Sequence, residues 1–363
     1  CKVAVEQRPD HTAPFGQQDA SRRRWTTVSQ FCKDLAAGGE LGYLTTQPLP
    51  EDSDGSPSTL AAPHVLELLK GARRLRPLLL GRLAPVQYNL WLGRASVGST
   101  SGLHHDFHDN LYVLLRGEKE FRLFSPRCAE ALRPAGAKRA RLRLHGNGLI
   151  CYAPQIRDDG APVDAVRKWR RKAAMEDGGL NSPSKGGSEQ IIGDEEDEDS
   201  EEAMLERALE KARRRPGRGR GRGPRRGTAD IAAERAANEV PDSFCEVSTT
   251  ATGRGGGSRE PVPEFLRGKH LCAKLQAGDL LYLPASWFHE VISRGPDDGG
   301  HLALNLWMAP PHAEGTFEKP YEDDFWETKY QELRRSAKGG AAGAAGVSRS
   351  SGKRKRHPPG QQD

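Results

Sequence analysis

The sequence predicts a mainly β fold, a barrel or sandwich of short strands with flanking α-helices and a long disordered insertion. Two groups of strand-like segments lie on either side of residue 200, and turn residues interrupt each group. Segments with helical spacing precede the first group, and a low-complexity stretch separates the two groups. Many short strands with few helices are typical of barrels and sandwiches.

The elements can be assigned in chain order. Helical spacing and capping residues predict helices in "RRRWTTVSQFCKDLAAG" and "PHVLELLKGA". Strand patterns follow in "VQYNLWLG" and in "DNLYVLLRGEKEFRLFSP", which forms two strands around an Arg-Gly turn. Two more strands are predicted in "CAKLQAGDLLYLPASWFHEVIS", with a Gly-Asp turn and a proline at a strand boundary, and another in "HLALNLWMAP".

The middle of the chain lacks the apolar periodicity of a core. It contains an acidic block, "GDEEDEDSEE", then "AMLERALEKARRR", which is compatible with one charged helix, and then a Gly/Arg block, "RRRPGRGRGRGPRRG". We therefore expect a disordered insertion at residues 166–240. The first half of the barrel with its helices then occupies 20–165, the second half with a C-terminal helix 241–335, and a disordered basic tail 336–363.

Composition excludes several classes of protein. The six cysteines show no C-x-x-C spacing, which argues against a zinc finger and a disulfide scaffold and is typical of a reducing compartment. No apolar run approaches the roughly 18 residues of a membrane span, so we expect no membrane insertion. Only 36% of the residues are hydrophobic, as expected if part of the chain is unpacked.

A cluster of metal-ligand side chains occurs in "SGLHHDFHDN". In a strand, residues i and i+2 share a face, so His104 and Asp106 point the same way while His105 points oppositely. A third ligand has to come from another strand, and the best candidate is His289 in the apolar strand "WFHEV". The rival histidines are His145, His270 and His301. Two histidines and one carboxylate form the facial triad of non-heme Fe(II) oxygenases.

An inward-facing lysine supports this interpretation. In "EKEFRLF" the residues Lys119, Phe121 and Leu123 share one face, which is the apolar one. A buried ammonium is costly without an anion, so a small dicarboxylic cosubstrate that reaches both the metal and Lys119 would satisfy it. A lysine at the barrel rim or in an internal salt bridge is the alternative.

These motifs together resemble the jumonji-C (cupin-like) 2-oxoglutarate oxygenases. The resemblance is carried by "SGLHHDFHDNLYVLLRGEKEFRLFSP", "AGDLLYLPASWFHEV" and "ALNLW", and is closest to the small hydroxylase-like members such as factor-inhibiting HIF and the lysyl hydroxylase relatives. It implies a double-stranded β-helix, also described as a cupin or jelly-roll barrel. It also implies Fe(II), held by His104, Asp106 and His289, with 2-oxoglutarate and O₂ as cosubstrates. One departure is the separation of Asp106 from His289, about twice that of the family, which the insertion accounts for.

The resemblance also implies which residues bind the cosubstrate. Lys119 falls on the lysine that holds the far carboxylate of 2-oxoglutarate. The weaker correspondences are Ser101, Asn110 and Asn305, and Tyr112 also faces the cosubstrate on this interpretation. The implied reaction decarboxylates 2-oxoglutarate to succinate and CO₂ while a substrate C–H bond is hydroxylated.

The sequence is compatible with several alternative functions. Hydroxylation of an N-methyl group leads to demethylation, but the chain has no cysteine-rich reader finger, which favours hydroxylation of a protein side chain. A second alternative is a non-catalytic cupin-fold module that binds protein, or binds RNA weakly through the Gly/Arg block. A zinc or manganese isomerase is a third, although such cupins use more histidines. The tail motif "GKRKRHPP" predicts nuclear rather than cytoplasmic localisation.

Overall fold

Most strands of the protein belong to two large sheets that pack face to face, and four short strands form two small additional sheets. The computed structural model describes residues 1–11, 13–15, 23–51, 57–69, 75–96, 98–152, 155–177, 241–250, 260–295 and 300–346. The strands are β1 (Lys2–Gln7), β2 (Arg23–Thr27), β3 (Gly42–Leu44), β4 (Pro85–Gly93), β5 (Ser99–Thr100), β6 (His104–His105), β7 (Asp109–Arg116), β8 (Glu118–Phe124), β9 (Arg143–Leu144), β10 (Ile150–Cys151), β11 (Val247–Ser248), β12 (Glu260–Pro261), β13 (Leu271–Gln276), β14 (Leu280–Leu283), β15 (Phe288–Arg294) and β16 (His301–Met308). The helices are α1 (Val28–Ala36), α2 (Pro63–Leu69), α3 (Ala129–Leu132), α4 (Val163–Asp177) and α5 (Phe325–Gly346).

The chain passes repeatedly from one sheet to the other. The larger sheet has the order β14-β7-β16-β4-β3-β1-β2, and the smaller has β13-β8-β15-β5, with β6 also paired to β15. One apolar cluster joins them, with Tyr112, Leu114 and Ala303 from the larger sheet and Phe121 and Leu275 from the smaller. This architecture is a double-stranded β-helix, so the predicted fold class is confirmed.

Helices α1, α2 and α5 cover the outer face of the larger sheet. Phe31 and Leu35 of α1 pack on Val3, Val5 and Leu44. At the other end of the sheet, Val65 of α2 and Tyr330 of α5 join a cluster with residues of β4 and β16. Among the described residues, no helix has the length and apolar character needed to cross a bilayer.

We expect the packing between the sheets to dominate the stability of the barrel. Leu114 is fully buried between them, whereas the next residue, Leu115, is 49% exposed. Leu114→Ala should therefore lower the free energy of unfolding by about 2 to 5 kcal/mol, because it leaves a cavity. Leu115→Ala is the matched control and should change it by less than about 0.5 kcal/mol. Urea titration followed by tryptophan fluorescence measures both, and equal effects would contradict the placement of the core.

Several predicted element boundaries need correction. The first predicted helix begins only at Val28, where the Thr27 side chain accepts a hydrogen bond from the Gln30 N–H at 3.1 Å. The residues before it form β2, because pairing with β1 overrides their helical spacing. The segment 271–294 contains three strands instead of two, and Ser286 between the last two has a φ of 67°.

The predicted domain limits also differ from the observed elements. Strand β1 precedes residue 20, and α4 continues past residue 166, where the insertion was expected to start. The physical reason is burial: Val166 packs with Ala161 and Phe325, so the first turns of α4 belong to the folded part. Helix α5 likewise extends beyond residue 335. The acidic block, the segment "AMLERALEKARRR", the Gly/Arg block and the basic motif of the tail lie outside the described residues.

Candidate metal centre

Strand register brings the three predicted metal ligands together. Strands β6 and β15 pair antiparallel with His104 directly opposite His289, and the centroids of the two imidazole rings are 4.2 Å apart. Asp106 follows β6, and its Oδ2 is 3.8 Å from His289 Nε2. One ligand atom from each of the three side chains lies within 4.8 Å of the other two. The side chains therefore converge as the strand alternation predicted.

Hydrogen bonds orient both imidazoles. His104 Nδ1 is 2.9 Å from the Gly102 carbonyl oxygen, and His289 Nδ1 is 2.9 Å from the Trp287 carbonyl oxygen. A carbonyl only accepts, so each Nδ1 carries the hydrogen and each Nε2 keeps its lone pair. Carbonyl partners of this kind fix the tautomer of metal-binding histidines. Two neutral imidazole nitrogens and one carboxylate fit a divalent transition metal such as Fe(II).

The neighbouring histidines have structural roles. His105 is fully buried on the opposite face, and its Nε2 is 2.7 Å from the Tyr152 hydroxyl. Burial lowers the pKa of His105 to about 4, so its ring is neutral at physiological pH. His108 stacks on Trp307 with ring centroids 5.4 Å apart, and burial lowers its pKa as well.

The rival third ligands lie elsewhere. His145 contacts the Cys151 thiol at 3.4 Å, and His270 lies beside the Phe124 ring. His301 is buried next to Lys119, with 3.2 Å between its Nδ1 and the lysine Nζ. Burial, and then the charges of Lys119 and Arg8, lower the pKa of His301 well below its usual range. Of the four candidate histidines, only His289 joins His104 and Asp106.

A cavity extends inward from the three side chains. It encloses about 520 Å³ of empty space, counting its open mouth. Its walls are formed by His104, Asp106 and His289 together with Phe15, Tyr43, Trp91, Ser99, Thr100, Ser101, Asn110, Tyr112, Phe121, Val291 and Ser293. The walls combine aromatic and apolar side chains with hydroxyl, amide and metal-ligand groups, a combination that suits a small polar molecule.

Lys119 lies directly behind the part of the cavity wall that Tyr43 and Ser293 form, here called the inner end of the cavity. Its side chain is buried, and its ammonium donates to the hydroxyls of Tyr43, at 3.2 Å, and Ser293, both of which line the cavity. These partners and His301 are uncharged. Burial lowers the pKa of Lys119 to about 7, because desolvation disfavours the ammonium. The lysine faces inward as predicted, and none of these three contacts of its ammonium is with a carboxylate.

The other predicted cosubstrate residues occupy two kinds of position. Ser101, Asn110 and Tyr112 line the cavity. The Ser101 hydroxyl is also engaged with the backbone, since it accepts from the Val291 N–H at 3.0 Å. Asn305 lies behind the wall: its Nδ2 donates to Asn110 Oδ1 at 2.9 Å. Asn305 thus supports Asn110 instead of facing the cavity.

Sequence reasoning missed several residues around the site, three of which contact His104 or Lys119 directly. Tyr43 comes from β3, Ser293 from the end of β15, and Phe244 from the segment after the insertion, where its ring stacks on His104. The signal for Ser293 was available, because it is four residues after His289 on the same strand face. Tyr43 and Phe244 are brought in by tertiary pairing, for which a single sequence carries no local signal.

The double-stranded β-helix and its two-histidine, one-carboxylate site are typical of cupin-like oxygenases, and comparison with known proteins identifies the same family. The family model for the cupin-like domain matches residues 2–314, so the chain belongs to the cupin-like (jumonji-C) family, as the sequence motifs predicted. The chain is 32% identical over 364 residues to "JmjC domain-containing protein 4" of Schizosaccharomyces pombe, covering 87% of this chain and 75% of that protein. The family typically consists of oxygenases that use iron and 2-oxoglutarate.

Proposed function

We propose that the protein is an Fe(II)- and 2-oxoglutarate-dependent dioxygenase that hydroxylates a side chain of a protein substrate. The observation that carries the proposal is the convergence of two oriented imidazole Nε2 atoms and one carboxylate at a cavity that ends near a buried lysine. The metal ligands, the cavity and the buried lysine each have a role in such a reaction. Together they indicate this class of enzyme more specifically than a metal site alone would.

The metal would be held by His104, Asp106 and His289. Three protein ligands leave further coordination positions for small molecules. When bound, Fe(II) with 2-oxoglutarate and O₂ supplies the oxidising chemistry, yielding succinate, CO₂ and a hydroxylated product. The contribution of the chain is geometric, because its strands hold the three ligands in register beside the cavity that would receive the cosubstrate.

The cosubstrate would be held by the inner end of the cavity. A carboxylate that enters there would meet the Lys119 ammonium and the hydroxyls of Tyr43 and Ser293. In the ligand-free protein these two hydroxyls accept hydrogen bonds from the ammonium. A charge-assisted hydrogen bond with low solvent exposure is among the stronger ones in proteins. A dicarboxylic acid fits this arrangement because its two ends meet different partners, the lysine and the metal.

A protein side chain is the substrate class that we favour. The same chemistry on an N-methyl carbon gives demethylation, and the absence of a cysteine-rich reader motif from the sequence favours hydroxylation. Nuclear localisation through the basic tail, and weak RNA binding through the Gly/Arg block, are further proposals that rest on sequence outside the described residues.

Succinate formation tests the proposal directly. The intact chain is purified without metal, reconstituted anaerobically with Fe(II), Zn(II) or Mn(II), and supplied with 2-oxoglutarate and O₂. We expect succinate only with Fe(II), and +16 Da products when candidate peptides are added. Retention of zinc or manganese without succinate formation would favour another cupin metalloenzyme, and background turnover with every metal would favour a binding module.

The pH dependence of 2-oxoglutarate affinity should report on Lys119. In the free protein its pKa is about 7, and an adjacent carboxylate raises it in the complex. Above pH 7 binding must therefore take up a proton, so the Kd should rise by up to about tenfold per pH unit and stay flat just below pH 7. The buried neighbours Tyr43 and His301 are neutral throughout this window because burial raises the pKa of the phenol and lowers that of the imidazole. Calorimetry with Mn(II)-loaded protein at pH 6.5 to 8.5 measures this, and a Kd that falls with pH would contradict it.

A further inference from the structure

The segment 241–250, here called the return segment, pairs with the strand that carries His104. The His105 N–H donates to the Ser243 carbonyl at 3.1 Å, and the Cys245 N–H donates to the Leu103 carbonyl at 2.9 Å. Phe244 is thereby placed directly opposite His104 in an antiparallel bridge. The return segment thus extends the smaller sheet by a short stretch at the metal ligand itself.

The Phe244 ring stacks on the His104 imidazole. The ring centroids are 4.7 Å apart and the planes differ by only 8°, whereas His289 approaches His104 at a tilt of 53°. Phe244 is 6% exposed, so its own ring is fixed by the surrounding packing. With Phe244 stacked on it and His289 close by, the His104 ring has little freedom to rotate about its Cβ–Cγ bond.

A buried carboxylate fixes the far end of the return segment. Glu290, the residue after His289, is fully buried and accepts hydrogen bonds from Ser248, Thr249 and Thr250. The Thr249 hydroxyl also donates to Glu290, and Arg122 Nη1 lies 3.2 Å from the same hydroxyl oxygen. The return segment is therefore attached at one end to the strand of His104 and at the other to the strand of His289.

We propose that Phe244 is a positioning residue that holds the plane of the His104 ring, and that the Glu290 contacts keep Phe244 in place; this inference rests on the proposed function. A ring that is already oriented loses less conformational entropy when an ion binds. Phenylalanine suits the role because its flat face stacks on imidazole and it offers no atom that competes for the ion or for the hydrogen of Nδ1.

Binding of Co(II) to metal-free protein tests the inference without any turnover. The d–d absorption of the bound ion gives both its Kd and the geometry of its ligands. We expect Phe244→Leu to weaken Co(II) binding by about three- to tenfold and to alter the absorption spectrum. Phe244→Tyr should restore both properties, because it keeps the stacked ring. Thr249→Val, which removes one hydroxyl from Glu290, should weaken binding in the same direction by a smaller factor.

Val247→Ala is the matched control. Val247 is buried in the same return segment but packs in the neighbouring apolar cluster, so its truncation should lower stability and leave the Co(II) spectrum unchanged. Equal effects of Val247→Ala and Phe244→Leu on the Kd, or wild-type binding by Phe244→Leu, would overturn the inference alone. Failure of the wild-type protein to bind Co(II) would overturn the proposed function and the inference with it.

Discussion

Replacing His104 by alanine should reduce Fe(II)-dependent succinate formation to background, a loss of at least about 1000-fold. The side chain supplies one of three ligands, and His289 cannot replace it because one imidazole presents only one nitrogen to a given ion. Removing one ligand from a three-residue site weakens the binding of the metal and also changes its coordination geometry. Succinate assays at saturating 2-oxoglutarate and metal analysis of the purified variant measure the two effects.

His145→Ala provides the matched control for that loss. The sequence offered His145 as an alternative ligand, but the structure places it beside the Cys151 thiol and outside the metal cluster. We expect this variant to bind Fe(II) and to form succinate at the wild-type rate within about twofold. A loss of turnover as large as that of His104→Ala would contradict the assignment of the metal ligands.

Replacing Lys119 by methionine should raise the KM for 2-oxoglutarate by about 100-fold or more. The change removes the ammonium that contacts Tyr43 and Ser293 behind the inner end of the cavity, and losing one partner of a buried charged pair costs about 2 to 5 kcal/mol. Methionine has a similar length and is apolar, so it fills the space without a buried charge. Initial rates of succinate formation over a range of 2-oxoglutarate concentrations measure the effect.

The thermal stability of the ligand-free protein should not fall in this variant. In the free protein the buried ammonium is penalised, which is why its pKa falls to about 7, so methionine should leave the Tm of the ligand-free protein unchanged or raise it. Thermal melts with and without 2-oxoglutarate separate the two effects. A lower Tm combined with an unchanged KM would mean that Lys119 is a structural residue and does not hold the cosubstrate.

The sequence was sufficient for the features that follow from strand periodicity. Alternation placed His104 and Asp106 on one face and His105 on the other, and it placed Lys119 inward, as the structure shows. Turn residues located the strands around Gly117 and Gly278. The metal-ligand convergence was expected because the apolar strand around His289 could pair near the strand of His104 in a closed barrel, and β15 does pair with β6.

Features that depend on pairing between distant segments were not predictable. The first part of the helix expected from Arg22 onwards forms strand β2 (Arg23–Thr27), since β1 offers it a partner that helical spacing cannot reveal, and the helix itself begins at Val28. Asn305 was expected at the cosubstrate and lies behind Asn110, because the packing order of side chains across two strands is a tertiary property. Helix α4 extends past residue 166, where the insertion was expected to start, and the burial of Val166 against Phe325 has no local signal in the sequence.

The direct pairing of His104 with His289 also couples ion affinity to folding. Strand β6 is only two residues long, and a slip of one position against β15 would turn one imidazole to the opposite face. An ion that binds only the correct register therefore links β6 and β15, which are distant in the chain, and contributes its binding free energy to their pairing. Removing the ion with a chelator should therefore destabilise the pairing of β6 with β15 first. Amide hydrogen exchange at β6 should become faster while exchange in the rest of the sheet is unchanged.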